Sequence, residues 1–196
     1  MLDISRRKFL QTSIASGAAL GFAGFSSRLD RFIEQGTHAF AGNTPLYGNP
    51  VPTPSSNTGE VVVSLPPGFQ YNVIGRAGSP MTNGAATPVS HDGMGVFTAS
   101  NLPNSWIVVR NHEFQGFAGA GGAVSGTTPY DPLAGGGTTT LIIDRQTRLI
   151  TDSFTSMSGT LTNCSGGRTP WQTWISCEET TVGPSSGFAR PHGYCF

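Results

Sequence analysis

The scarce ionisable chemistry of this sequence is gathered in four short clusters. Asp, Glu, Lys and Arg together make up only 11% of the chain, so neighbouring ionisable side chains call for an explanation. The clusters occupy residues 90–95, 110–113, 130–140 and 163–180. Each combines such side chains with glycine or with the end of an apolar stretch, which is typical of sites that bind a cation or an anion.

The fourth cluster makes the sharpest chemical prediction. Cys164 lies in an Asn-Cys-Ser-Gly-Gly stretch that we interpret as a glycine-rich turn, and Glu178 and Glu179 follow the apolar stretch 171–177. Adjacent carboxylates repel each other unless a cation lies between them. A thiolate suits a transition metal, and carboxylates suit calcium or iron. The competing interpretation is a Cys164–Cys177 disulfide with two surface glutamates.

The other three clusters each allow a structural and a functional interpretation. Asp92-Gly93 is a turn by default, but it could offer a carboxylate to a hard cation. Residues 110–113, Arg-Asn-His-Glu, lie at the end of a predicted strand and form either a site or a solvated loop. The three glycines at 135–137 would let a ligand approach the backbone closely, or would form a flexible connection.

Short β-strands must position these clusters. Apolar or alternating stretches predict strands at residues 60–65, 69–73, 94–98, 106–110, 138–143, 148–154 and 171–177. The stretch 144–147, Asp-Arg-Gln-Thr, predicts a hairpin turn between two of them. No helical periodicity follows residue 41. The expected fold class is therefore all-β, as a sandwich, barrel or propeller.

The N-terminus predicts an export signal. Arg6 and Arg7 precede Lys8, and a short apolar stretch at 14–25 follows, a pattern typical of a twin-arginine signal. This stretch is too short to span a bilayer stably. We therefore expect a signal peptide at 1–41, a Pro/Ser-rich linker at 42–59 and one domain at 60–196. The twin-arginine translocase would deliver the protein to the periplasm or the exterior, without a membrane anchor.

Charge and cysteine content narrow the classes of partner. Residues 42–196 contain no lysine, six arginines and eight acidic residues, so nothing forms the basic surface that nucleic acid requires.

The three cysteines, Cys164, Cys177 and Cys195, are an odd number, which leaves at least one without an internal disulfide partner.

Taken in order, the clusters resemble the PhoX-type alkaline phosphatases. The resemblance runs from Leu65-Pro66-Pro67-Gly68-Phe69 to His192-Gly193-Tyr194-Cys195-Phe196. Its most specific part is Asn163-Cys164-Ser165-Gly166-Gly167, followed by Thr169-Pro170-Trp171 and Cys177-Glu178-Glu179. Asn111-His112-Glu113 and Gly136-Gly137-Thr138-Thr139 match as well.

The resemblance implies a β-propeller whose central site holds iron and calcium ions bridged by oxygen. It would hydrolyse small phosphate monoesters through attack by a metal-activated oxygen. By this resemblance Cys164 is the iron-binding cysteine and Glu179 a carboxylate ligand, and both are catalytic. Glu178, Glu113 and Asp92 are further candidate metal ligands. Asn163 and Arg168 are candidates for binding the phosphate oxygens.

Two alternatives to the phosphatase remain at this point. One is a calcium-dependent propeller that acts on lactones or phosphotriesters, and the other is a non-catalytic calcium-binding propeller fragment. Residues 60–196 would hold roughly three blades, fewer than a propeller needs to close. We therefore expect a truncated chain, with further metal ligands and phosphate contacts beyond residue 196.

Overall fold

The structure is a computed structural model that describes residues 46–196, so the expected signal at 1–41 lies outside the described residues. In this range the secondary structure is eight β-strands and one 3-10 turn, Pro184–Ser186. The strands are β1 (Val51–Pro54), β2 (Val61–Leu65), β3 (His91–Phe97), β4 (Ser105–His112), β5 (Gly136–Asp144), β6 (Ile150–Thr160), β7 (Asn163–Arg168) and β8 (Trp174–Glu178). Nowhere in the described range is there a helix with the length and hydropathy of a membrane span.

The described chain divides into two compact units, and the smaller one holds residues 46–55 and 59–70. Strands β1 and β2 pair there in antiparallel fashion, with Val51 opposite Leu65. The Thr53 hydroxyl accepts a hydrogen bond from the Leu65 N–H, at 3.3 Å. Strand β1 lies within residues 42–59, which the sequence predicted to be a linker. The Val-rich strand β2 gives residues 51–54 a backbone partner, and prolines are tolerated on an edge strand.

The larger unit, residues 56–58 and 71–196, is built on a four-stranded antiparallel sheet in the order β3-β4-β5-β6. The predicted strands at 94–98, 106–110, 138–143 and 148–154 lie in this sheet and are confirmed apart from their exact ends. The predicted turn between β5 and β6 is confirmed too. The Asp144 carboxylate accepts hydrogen bonds from the Gln146 and Thr147 amides, at 3.0 and 2.7 Å, which closes the turn.

Strands β7 and β8 form a separate hairpin that lies against β3 and β4. The stretch 163–167, predicted to be a turn, is instead strand β7, and the turn lies at 169–173. Gly166 serves close strand pairing, because a Cβ at this position would collide with the Ile175 carbonyl. Residues 194–196 run along the other edge of β8, where Ser176 and Phe196 exchange both backbone hydrogen bonds.

The predicted strand at 69–73 is absent. In the larger unit, the Asn57 side chain takes the place of a strand partner. Its oxygen accepts from the Val73 N–H at 2.9 Å, and its amide donates to the Val73 carbonyl at 2.8 Å. A side chain can satisfy backbone groups in this way, so the alternation of apolar residues produced no sheet ladder here.

Hydrogen-bonded polar side chains occupy much of the interior of the larger unit. Asn111, His112, Asp131, Thr139 and Asn163 are completely buried. Buried polar groups are costly unless they find partners, so hydrogen bonds as well as apolar packing fix the strand positions. The apolar cluster of Ala134, Leu161 and Phe188 lies beside them.

The prediction of an all-β fold of successive antiparallel sheets is confirmed over the described part of residues 60–196. Across residues 46–196, however, these sheets do not close into a propeller: the described strands make one four-stranded sheet and two hairpins.

Candidate metal centre

Two β-bulges bring Asp92 and Cys164 together. In β3 the pairing with β4 is irregular between His91 and Met94, and Asp92 lies in that bulge. In β7 the pairing with β8 is irregular between Asn163 and Gly166, and Cys164 lies in that bulge. A bulge turns a side chain away from the regular alternation of a strand, which is how both side chains come to face the same point.

Gly93 allows the two bulged strands to approach this closely. A Cβ at residue 93 would lie 2.7 Å from the Cys164 carbonyl oxygen and 3.2 Å from the Cα of Ser165. Backbone atoms cannot move aside as the end of a flexible side chain can. The Asp-Gly pair that was interpreted as a turn or a cation site therefore combines a carboxylate with the space that its neighbouring strand requires.

Three ligand atoms converge at this point. One carboxylate oxygen of Asp92, one of Glu113 and the Cys164 sulfur all lie within 4.8 Å of one another, and all three side chains are half-buried. Glu179, directly after β8, is close enough for its carboxylate to act on the pKa of both Cys164 and Glu113. These four residues are called the thiol–carboxylate cluster below.

The cluster has an excess of negative charge. Hydrogen bonding to Glu179, then partial burial and the charge of Asp92, raise the pKa of the Cys164 thiol to about 11. Partial burial, followed by the hydrogen bond and charge of Asp92, raises the pKa of Glu113. Within residues 46–196, no Arg or His forms an ion pair with these carboxylates.

A bound cation would remove this repulsion. It would favour the ionised carboxylates and the thiolate, and it would displace the thiol proton as it binds. A sulfur among oxygen ligands suits iron, and a set of carboxylates suits calcium as well. The donor atoms of the cluster therefore fit both metals that the family resemblance implies.

Asn111 holds the Cys164 segment in place. Its amide donates to the carbonyls of Cys164 and Ser165, at 3.1 and 2.9 Å. Its oxygen accepts from the Trp174 indole and the Ser176 hydroxyl, each at 2.9 Å. This uses all four hydrogen bonds that an amide side chain can make. The sequence predicts only that residue 111 belongs to a site or a loop, and it gives no sign that this residue is buried and holds the Cys164 segment.

The Arg-Asn-His-Glu stretch at 110–113 splits between two faces. Successive residues of a strand point to opposite sides, so Asn111 lies toward the cluster while Arg110 and His112 lie on the other face. Burial, aided by the charge of Arg110, lowers the pKa of His112 to about 4. Its Nδ1–H donates to the Val89 carbonyl at 2.8 Å, and Nε2 accepts from the Thr139 hydroxyl at 2.8 Å.

Glu178 does not join the cluster. Its carboxylate accepts a hydrogen bond from His192 Nδ1 at 2.7 Å, and others from the backbone amides of Leu161 and Gly193 at 2.8 and 2.6 Å. Its side chain is fully buried in this network. Adjacent strand residues face opposite sides, and this explains why Glu179 reaches the cluster and Glu178 does not.

The two candidate phosphate-binding residues also lie outside the cluster. Asn163 is completely buried, where its oxygen accepts from the Thr160 hydroxyl at 2.6 Å and its amide donates to Ser176 at 2.9 Å. Arg168 is exposed at the far end of β7, over the Phe97 ring at 4.8 Å and bonded to Gln172. Among the described residues, neither is placed to bind an anion at the cluster.

The glycine-rich stretch at 130–140 is structural. A Cβ at Gly136 would lie 2.6 Å from the Thr160 carbonyl, so these glycines allow β5 and β6 to pair closely rather than admit a ligand. The open space near the cluster is instead a cleft of about 310 Å³ beside Glu179, which Gln115 and Thr162 also line.

Comparison with known proteins identifies a family. The family model described as Alkaline phosphatase PhoX matches residues 51–193, well over half of the 196-residue chain. Neither the curated proteins nor the solved structures contain a significant match.

Proposed function

The chain belongs to the PhoX alkaline phosphatase family, and from this premise we propose that it is a metal-dependent hydrolase of phosphate monoesters. The observation that supports the metal dependence is the convergence of Asp92, Glu113 and Cys164, with Glu179 beside them. The four residues come from the ends or bulges of four different strands, and three of them carry the like charges that a cation would compensate.

In this proposal Cys164 and Glu179 would bind iron, and Asp92 and Glu113 would bind calcium in the same cluster. When bound, such cations neutralise a phosphoryl dianion and lower the pKa of water so that it can act as a nucleophile at neutral pH. Glu178 is removed from the proposed ligands because its oxygens are already engaged by His192 and backbone amides.

The remaining residues of the site position the ligands. Asn111 fixes the Cys164 and Ser165 carbonyls, and through Trp174 and Ser176 it ties them to β8, which carries Glu179 at its end. The amide of Glu179 donates to the Thr162 carbonyl at 2.9 Å, which fixes where this carboxylate leaves the strand. A cation would therefore meet ligands that are already held in place, with little loss of conformational entropy on binding.

The wider context of the proposal is an exported propeller. The four-stranded meander β3–β6 has the form of one propeller blade, and we propose that it is one. We further propose that the leader at 1–41 directs export through the twin-arginine translocase to the periplasm or the exterior. An experimental structure in which β3–β6 packs as one half of a sandwich would contradict the blade.

The proposed function is tested on the full chain by metal analysis and by a substrate screen. Iron and calcium should co-purify with the protein, and a phosphate monoester should be hydrolysed faster than a phosphotriester or a lactone. Cys164→Ser should lose iron and reduce the rate by about 100-fold or more, since a ligand should matter at least as much as the residues that orient one. Cys195→Ser is the matched control and should keep its iron.

The other outcomes identify the alternatives. Calcium without iron, and no hydrolysis, would indicate a calcium-binding module. Preference for the triester or the lactone would indicate the second enzyme class. Unchanged iron content in Cys164→Ser would contradict the assignment of the metal site.

A further inference from the structure

We propose that Cys177 and Cys195 form a disulfide when the protein meets an oxidising environment. Their sulfur atoms lie 3.0 Å apart, which is closer than two sulfur atoms in ordinary van der Waals contact. A disulfide bond is about 2.05 Å long, so the sulfurs need to approach by only about 1 Å. The pairing goes beyond the proposed function, because neither the phosphatase chemistry nor the metal site requires it.

The backbone around the two cysteines suits such a bond. Ser176 exchanges both backbone hydrogen bonds with Phe196, at 2.8 and 2.9 Å, and the Glu178 amide donates to Tyr194 at 3.0 Å. Cys177 and Cys195 are directly opposite each other between these bonds. They therefore form a non-hydrogen-bonded antiparallel pair, in which the Cα atoms are about 4.5 Å apart. This lies within the range of about 4.4–6.8 Å that disulfides span, so the backbone need not move.

The third cysteine is engaged elsewhere. Cys164 lies in the thiol–carboxylate cluster, where Asp92 and Glu179 surround its sulfur. A Cys164–Cys177 bond, which spacing alone allowed, would have to take this sulfur out of the cluster. The odd number of cysteines is then explained as one pair and one metal ligand.

The bond can form by thiol–disulfide exchange. Cys195 is exposed and Cys177 is half-buried, so the Cys195 thiolate attacks an incoming disulfide first and gives a mixed disulfide. The Cys177 thiolate then attacks the Cys195 sulfur and releases the second thiol of the reagent. Two cysteine thiols lose two electrons and two protons, and the reagent disulfide gains them and leaves as two thiols.

The bond would close a loop that reaches the metal centre. The segment between the two cysteines contains Glu178, Glu179 and His192, and the last of these is bonded to Glu178 at 2.7 Å. Cross-linking 177 to 195 would hold the chain after residue 191 against β8. The segment that contains His192, whose ring is bonded to the buried Glu178, would then keep its position next to Glu179.

The test uses the reduced full chain, incubated with oxidised glutathione, quenched with an alkylating reagent and digested with trypsin and a Glu-specific protease. This digestion separates the three cysteines into peptides 149–168, 169–178 and 180–196. We expect a linked 169–178/180–196 pair, with Cys164 alkylated. Cys164→Ser should give the same linked pair. Cys177→Ser and Cys195→Ser should instead carry glutathione on the remaining thiol of the pair.

A second measurement follows the consequence for stability. Closing a loop of this length should raise the melting temperature by about 6–12 °C relative to the reduced protein, and the Cys177→Ser/Cys195→Ser double variant should not respond to oxidation. Glutathione adducts on Cys195 of the wild-type chain without linkage to Cys177, or a 149–168/169–178 link, would overturn the proposal. Because the oxidant is supplied, the result is independent of both the export route and the phosphatase activity.

Discussion

At the scale of single residues, the role of each side chain depends on the face of the strand from which it projects. Glu178 and Glu179 are neighbours with the same side chain, yet one is buried against His192 and the other acts on Cys164. The same alternation separates Asn111 from His112. The residue that most directly holds the cluster is Asn111, which has no ligand role of its own.

Asn111→Ala should destabilise the protein by about 2–4 kcal/mol. The truncation leaves the Trp174 indole N–H, the Ser176 hydroxyl and two carbonyls without their buried partner, and each such group costs about 1–3 kcal/mol with partial relaxation. Urea unfolding followed by tryptophan fluorescence measures the change. The exposed Asn101→Ala is the control and should stay within about 0.5 kcal/mol. Equal stability of the two variants would show that Asn111 is not an anchor.

At the scale of elements, the site depends on two strands meeting at their bulges. Asp92 in β3 and Cys164 in β7 can share a cation only if the backbones come within contact of each other, and Gly93 is the position where they do. The approach of the strands, and not only the ligand types, should therefore determine metal binding.

Gly93→Ala should reduce iron content and destabilise the fold by about 1–3 kcal/mol, as overpacking does. The added methyl group would lie 2.7 Å from the Cys164 carbonyl and would force the strands apart. Gly167→Ala in the same hairpin is a matched control, because a Cβ there meets nothing within 4 Å. Metal analysis together with thermal unfolding distinguishes the two. Full iron content in Gly93→Ala would show that the close approach is not required.

A second element, the segment after residue 188, is held by Asp131. Burial alone would raise the pKa of this carboxyl, but hydrogen bonds from the Leu133 and Arg190 amides, both at 2.7 Å, outweigh it and lower the pKa, and the His192 ring lies 3.4 Å away. The folded pKa is thus below the unfolded value of about 3.9. The stabilisation is present above pH 4 and is lost as the pH falls through the folded pKa.

Asp131→Asn should therefore cost about 1–3 kcal/mol at pH 7, and the difference from wild type should shrink as the pH falls below about 4. Urea unfolding between pH 7 and pH 3 measures this. Tyr130→Phe is the control: it removes a hydrogen bond to Pro191 in the same segment, and it changes no group that titrates between pH 3 and pH 7. Its cost should be independent of pH. A constant difference for Asp131→Asn would contradict a charged carboxylate.

At the scale of the whole molecule, the domain and its proposed leader are separate parts of one chain. The family match covers residues 51–193 and leaves the N-terminal arginines outside it. The export proposal rests on the sequence at 1–41 alone, so it needs a test that does not depend on the fold.

Arg6→Lys combined with Arg7→Lys should leave the protein in the cytoplasm, because the translocase reads the arginine pair as an address and not as two positive charges. Cell fractionation with detection of the full chain measures the distribution. The control is Arg28→Lys with Arg31→Lys, which makes the same charge-conserving change outside the arginine pair. This variant should be exported as the wild type is. Normal export of the first variant would rule out the twin-arginine route.

The all-β class, the hairpin at 138–154 and three residues that converge at the cluster, Asp92, Glu113 and Cys164, could be predicted from the sequence. Local patterns suffice for these because strand alternation and turn chemistry act over a few neighbouring residues. The ordered set of clusters also sufficed to identify the family, since each short motif adds to the specificity of the others.

Which side chains lie close together depends on the folded chain and could not be predicted from the sequence. The stretch at 163–167 pairs with β8 rather than forming a turn, and the one at 69–73 bonds Asn57 instead of a strand. Asn163 and Arg168 are near Cys164 in sequence but bond elsewhere, while Cys195 lies against Cys177 from 18 residues away. Bulges and strand order bring together residues that are distant in sequence, and no local pattern indicates which distant backbone will supply the partner.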